Sequence, residues 1–217
     1  MTDAPRTLPA TPVARRVPAH FCPARFVRLL RVELAERWRT HAGFLLVMAV
    51  VLALLAALML GSRSYWGLTV SDQGGWYAFG LWASGYAFAH LWLAPWQRTA
   101  PSLLALMRPA AVAEKWALTA LALLLLYPLA YTAVFAAIYS VAAPLAYEGR
   151  MAQYAEAARQ AAADGTLDQL TPPRRADYVA YIPFLSEGRA DGEAPARGRW
   201  LSWLFYAGLT GYAATLA

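Results

Sequence analysis

The sequence predicts an all-α, polytopic helical membrane protein, and three observations lead there. Of its 217 residues, 59% are hydrophobic and only 15% charged, whereas a soluble domain of this size carries about a quarter charged residues. Four stretches could cross a bilayer, which takes about 20 mostly apolar residues. Trp and Tyr stand at both ends of one of these stretches, where interfacial belts form. Length and charge together suggest one membrane unit rather than several soluble domains.

In chain order, residues 1–23 carry five prolines and little periodicity, which predicts a disordered cytoplasmic tail. A secretory signal peptide does not fit, because the first apolar run begins only after residue 42. Cys22 is the single cysteine, so neither an internal disulfide nor a multi-cysteine metal site is open to the chain. No apolar run precedes it, which speaks against a lipoprotein attachment site.

Residues 24–40 read as an amphipathic helix. At roughly 100° per residue, Phe26, Val27, Leu30, Leu34 and Trp38 share an arc of about 120°, with Arg25, Arg28, Arg31, Glu36 and Arg39 away from it. Arg37 and Val32 break the pattern. Such a helix just before a span is expected to lie in the headgroup region, with Arg25, Arg28 and Arg31 on anionic lipid and Trp38 at the interface. The other reading is that it extends the first span into the cytoplasm.

Residues 41–217 form the predicted transmembrane domain, with spans near 43–60, 76–96, 116–146 and 200–217. The run from Gly43 to Leu60 has no charge. Trp76 to Trp96 is rich in aromatic and small residues and is ionisable only at His90. Trp116 to Tyr147 is longer than one bilayer thickness and contains Pro128 and Pro144. No polar turn divides it, so one tilted or kinked helix is expected. The last run is still apolar at Ala217, which suggests a longer parent protein.

Positively charged flanks stay cytoplasmic. Residues 1–42 carry eight arginines, the connection 61–75 only Arg63, and the connection 97–115 three cations including Lys115, the chain's one lysine. Residues 148–199 hold seven arginines but also eight acids, and are long enough to translocate with little regard to charge. The N-terminus and the second connection are therefore expected inside, the first connection and residues 148–199 outside. Within that outer segment "RMAQYAEAARQAAA" predicts an Ala-rich helix, and "DG", "PP" and "DGEAP" predict turns. "YVAYIPFL" is expected to pack locally under the loop, the alternatives being the outer membrane face or a partner.

Catalytic signatures are missing: no phosphate-binding G-x-x-x-x-G-K-[ST], no H-E-x-x-H, G-x-S-x-G or C-x-x-C. The chain is accordingly expected to be no enzyme and to need no cofactor or metal. His20, His41 and His90 are far apart; His41 reads as an interfacial residue. His90 is the intramembrane polar candidate, since an ionisable group within a span is costly and often functional. Nucleic acid is not an expected partner, because the arginines cluster beside a membrane.

One cytoplasmic element remains, "LLALMRPAAVAEKWALTAL", between the second and third spans. Pro109 suits the first turn of a helix, where its missing N–H costs nothing. Glu114 and Lys115 then stand near the interface, with Trp116 as the belt residue. Physical chemistry leaves two readings open, an anchoring loop or an element suited to receive force from a partner.

The stretch resembles a pattern in permease-like integral-membrane proteins of the ABC transporter class, especially those of Bacteroidetes-type bacteria. Leu103, Leu104, Pro109, Ala110, Glu114, Lys115 and Trp116 match it; Ala111 and Arg108 depart from it. The resemblance covers about residues 24–146. It implies a six-span permease subunit of the type-two exporter class, half of a homo- or heterodimeric pore in a bacterial inner membrane, of which about four spans are present. It also implies a separate cytoplasmic ATPase touching Arg108, Pro109, Glu114 and Lys115. The rival function is a non-transporting membrane anchor or assembly protein that binds a partner through residues 148–199.

Overall fold

Pro23 opens the first helix, where a residue lacking an N–H leaves no helical bond unmade, and α1 then runs from Pro23 to Gly61 without interruption. The structure is a computed structural model that describes residues 21–62, 65, 67–97, 111–183, 203, 206–208 and 210. Among them every regular element is helical. The tail 1–20, the connection 98–110 and most of the expected fourth span lie outside the described residues.

The surface helix expected at 24–40 and the span expected at 43–60 are one element. Thr40–Gly43 contains no proline, and one helical glycine costs only about 1 kcal/mol against alanine, too little to divide a helix packed along its length. At 1.5 Å per residue α1 is about 58 Å long, against about 30 Å for the hydrocarbon core of a bilayer. It ends where Ser62 turns extended and its N–H and hydroxyl close on the last carbonyls, Leu58 and Met59.

The second helix, α2, spans Val70–Gln97 and includes residues 76–96, the stretch expected to be a span, but it is not one of the described helices apolar enough to cross a membrane. Thr69 starts it: its carbonyl takes the Gln73 N–H at 2.9 Å, and its hydroxyl donates to the Asp72 carboxylate at 2.8 Å.

The third helix, α3, spans Val112–Asp164. It merges the expected third span with the Ala-rich outer helix. Within it, Ala122–Leu126 form a π turn, in which the Tyr127 N–H reaches back to the Ala122 carbonyl. Pro128 follows directly. A proline in a helix has no N–H to give and its ring presses on the carbonyl four residues earlier, so the wider turn sits where that clash would fall. Gly165 ends α3 in left-handed backbone at φ 70°, a conformation glycine adopts without a Cβ penalty. The "DG" turn signal therefore marks the true end of the helix.

The three helices alternate in direction. Along α1 and α3, Tyr127 meets Met48 and Tyr139 meets Met59, so these two run parallel. Between α2 and α3, Tyr77 meets Thr132 and Ser84 meets Tyr127, so α2 runs against them. The core is a column of rings on α3, Tyr127, Tyr131, Phe135 and Tyr139, spaced four apart and therefore on one face. Glycines on α2 let aromatic rings approach its backbone. A Cβ at Gly80 would overlap the Tyr131 hydroxyl, and one at Gly85 would overlap the ring of Tyr206.

The segment after α3 folds back on the helix ends. Gln73, fully buried, donates through Nε2 to the carbonyls of Leu68 (2.8 Å) and Val179 (3.0 Å) and accepts the Tyr181 N–H at 2.7 Å. Tyr178 and Tyr181 are buried, Tyr181 against Tyr77. The "DGEAP" turn lies outside the described residues.

Outward faces are apolar. Leu46, Val47, Val50, Leu54 and Leu58 on α1 each expose half or more of their surface, as do Leu129 and Val141 on α3. Continuous exposed apolar surface of this kind marks a membrane or partner interface. Among the described residues two helices, α1 and α3, are long and apolar enough to cross a membrane, which points to a membrane protein.

Candidate functional site

Glu114 is the only acid between Asp72 and Glu148, and the fold buries it fully. It stands in the first turn of α3, before the apolar run that opens at Trp116. A carboxylate there is favoured by the unpaired N–H groups of a helix start. Ala111, extended at ψ 148°, is the N-cap. Its N–H donates to Glu114 Oε2 at 3.0 Å. This is half of a capping box, since alanine offers no side-chain oxygen to complete it.

The other half of the carboxylate's partners come from α1. Arg25 donates from Nη2 to Oε1 at 2.6 Å and from Nε to both oxygens at 2.9 and 2.8 Å. The Cys22 N–H adds a bond to Oε1 at 2.8 Å. A buried carboxylate needs this kind of saturation, because its lost hydration must be replaced by donors. The Arg25 bonds, opposed by burial and helped by the Cys22 and Ala111 amides, hold the Glu114 pKa down at about 2. Arg25 is in turn raised above its ordinary value by the same bond to Glu114. The pair therefore stays ionised throughout the neutral range.

A second polar group lies further along α1. Glu33 is buried and pairs with Arg37 at 2.8 Å, one turn on. Arg37 also donates to the Trp92 carbonyl near the end of α2, at 3.1 Å, and sits over the Trp92 ring at 5.9 Å. His41 stacks on the same ring at 5.1 Å. Glu33, Arg37 and His41 thus occupy the α1 face that meets α2.

The expected site residues divide accordingly. Glu114 and Arg25 come together, whereas the sequence places Arg25 at the headgroups and the resemblance implies Glu114 at a partner's surface. Arg28 and Arg31 are exposed; Trp38 is exposed with the Arg39 guanidinium over its ring at 5.7 Å. Lys115 is half-buried and Trp116 exposed. Arg108 and Pro109 lie outside the described residues, and the helix start expected at Pro109 falls at Val112. His90 is exposed on α2, while His41 occupies the helix interface.

Some of this was signalled in the sequence. Arg37 broke the apolar arc of α1 because it belongs to the packed face. The pairing of Arg25 with Glu114, 89 residues apart, had no local signal.

Chemically the cluster is a joint. One carboxylate binds the backbone entering α3, through Ala111, to the backbone entering α1, through Cys22. Comparison with protein-family models, with curated proteins and with solved structures finds no match.

Proposed function

We propose that the chain is the membrane-spanning permease subunit of an ABC-type transporter, moving an unidentified substrate across a bacterial inner membrane with ATP hydrolysed by a separate subunit. In this arrangement the N-terminus and residues 98–115 are cytoplasmic. The expected fourth span joins α1, α2 and α3 in the membrane, and two permeases form the pore. Arg28 and Arg31 lie on anionic lipid, with Trp38 and Trp116 at the interface.

The observation that carries the proposal is the joint at Glu114. A connection that only anchors two spans needs no saturated, buried ion pair to a third helix. One that receives force does, because the force must be delivered to the bundle as a unit. The joint also moves the ATPase contact away from the Glu114 carboxylate, which is buried, to the connection before it. The competing anchor function is disfavoured by Tyr181 and Tyr178, which pack inward on Tyr77 and Tyr147 rather than being presented to a partner.

The test is co-purification of the full-length protein with candidate ATPases. A stable complex whose ATP hydrolysis depends on this chain is the expected result. Stable expression without any associated ATPase would overturn it. A reporter at Ala113 that appears outside the cell would undo the orientation.

A further inference from the structure

We propose that Arg25 is a positioning residue for energy coupling, making the first turn of α1 move with the segment that enters α3. The inference rests on the permease reading and adds a route to it: a displacement of the cytoplasmic connection reaches α1 directly rather than through α3 alone.

Three features carry it. First, the grip is two-pronged. Arg25 uses both Nε and Nη2, so it resists rotation as well as separation, which a point charge would not. Second, the carboxylate joins two backbones. The Ala111 N–H on one side and the Cys22 N–H on the other are held by the same group, so movement of either chain segment is transmitted without slack in a long side chain. Third, what Arg25 holds is rigid. α1 continues unbroken to Gly61, and it lies parallel to α3 with Met48 and Met59 against Tyr127 and Tyr139. A shift imposed at Arg25 is therefore carried across the whole bundle, and α1 and α3 advance together.

Arg25 is a poor lipid anchor in this geometry, because its guanidinium is occupied by Glu114. Arg28 and Arg31, one and two turns on and exposed, are left to serve that role. The division of labour among neighbouring arginines distinguishes this inference from a general basic surface.

The experiment uses the full-length chain in lipid nanodiscs with the ATPase that co-purifies with it, assayed with MgATP. Wild type is compared with Arg25→Met, Arg25→Lys, Glu114→Gln and, as a control, Arg159→Met, an exposed arginine far along α3. Arg25→Met and Glu114→Gln are expected to keep the complex and its KM for ATP, and to lose turnover by about fivefold or more. Arg25→Lys should recover part of that loss, and Arg159→Met should leave turnover unchanged. Normal turnover in Arg25→Met and Glu114→Gln complexes overturns the inference and leaves the permease reading standing. A loss that parallels falling thermal stability or complex yield also overturns it, since the pair is then a packing bond only. No ATPase bound to wild type overturns both.

Discussion

The ring of Phe88 on α2 lies stacked on Tyr127 of α3, centroids 4.5 Å apart and planes within 14° of parallel. The Tyr127 hydroxyl continues past that stack to Ser84 Oγ at 2.6 Å and to Met48 Sδ at 3.5 Å. One side chain thus touches all three helices.

Tyr127 variants should separate ring from hydroxyl. Tyr127→Phe removes one buried hydrogen bond but leaves Ser84 bonded to the Gly80 carbonyl, so its cost should be about 1 kcal/mol. Tyr127→Ala removes the ring from the centre of the bundle and should cost about 3–5 kcal/mol. Reversible unfolding in detergent or bicelles measures both. Equal costs would show that the stack contributes little.

Gly80 should tolerate no side chain while Tyr131 keeps its hydroxyl. Gly80→Ala forces overpacking and is expected to destabilise by about 1–3 kcal/mol. Because the collision is with the phenolic oxygen, Tyr131→Phe in the same chain should return most of that loss. A double variant as unstable as Gly80→Ala alone would place the conflict elsewhere.

Gln73 replaces backbone partners for the loop after α3. Gln73→Met conserves length but leaves the Tyr181 N–H buried and unpaired, at about 1–3 kcal/mol. Hydrogen exchange is the direct measurement: the Tyr181 amide should exchange faster in the variant, while amides in the middle of α1 stay protected. Unchanged exchange at Tyr181 would mean that the loop is held by its tyrosine rings.

The Arg25–Glu114 joint predicts a pH response with a definite sign. Glu114 has a folded pKa of about 2 against an ordinary 4.5, so it binds its proton more weakly folded than unfolded. Its contribution to stability is full above about pH 4.5 and is lost as pH falls towards 2. Wild type should therefore lose stability over that acid window more steeply than Glu114→Gln, and not between pH 6 and 8. Parallel acid profiles for the two would contradict the assignment.

Helix identity was legible wherever apolar runs were long. The uncharged run at Gly43–Leu60 and the Asp164–Gly165 stop are both where composition put them. Helix continuity was not legible, because a polar stretch before a span reads as a separate surface element unless its polar residues have partners inside. Arg37 has Trp92 and Arg25 has Glu114, partners distant in sequence, and Glu33 reaches the interior only through Arg37, so these inward-facing charges resemble solvent-facing ones. His41 reads as interfacial for the same reason, its partner Trp92 being distant in sequence. A histidine beside a span resembles an interfacial residue until the opposing Trp92 ring is known.

The π turn at Ala122–Leu126 sets the phase of the long third helix. A wide turn carries one residue more than a regular α-helical turn, so the chain holds a surplus residue just before Pro128. Shortening α3 by one residue elsewhere would rotate everything beyond the cut by about 100°, turning Tyr131, Phe135 and Tyr139 off the core. Removing one residue from Leu124–Leu126 would instead keep both halves in step and leave only the proline ring to accommodate. The surplus residue and Pro128 are a matched pair, and a chain that lost one would do best to lose the other.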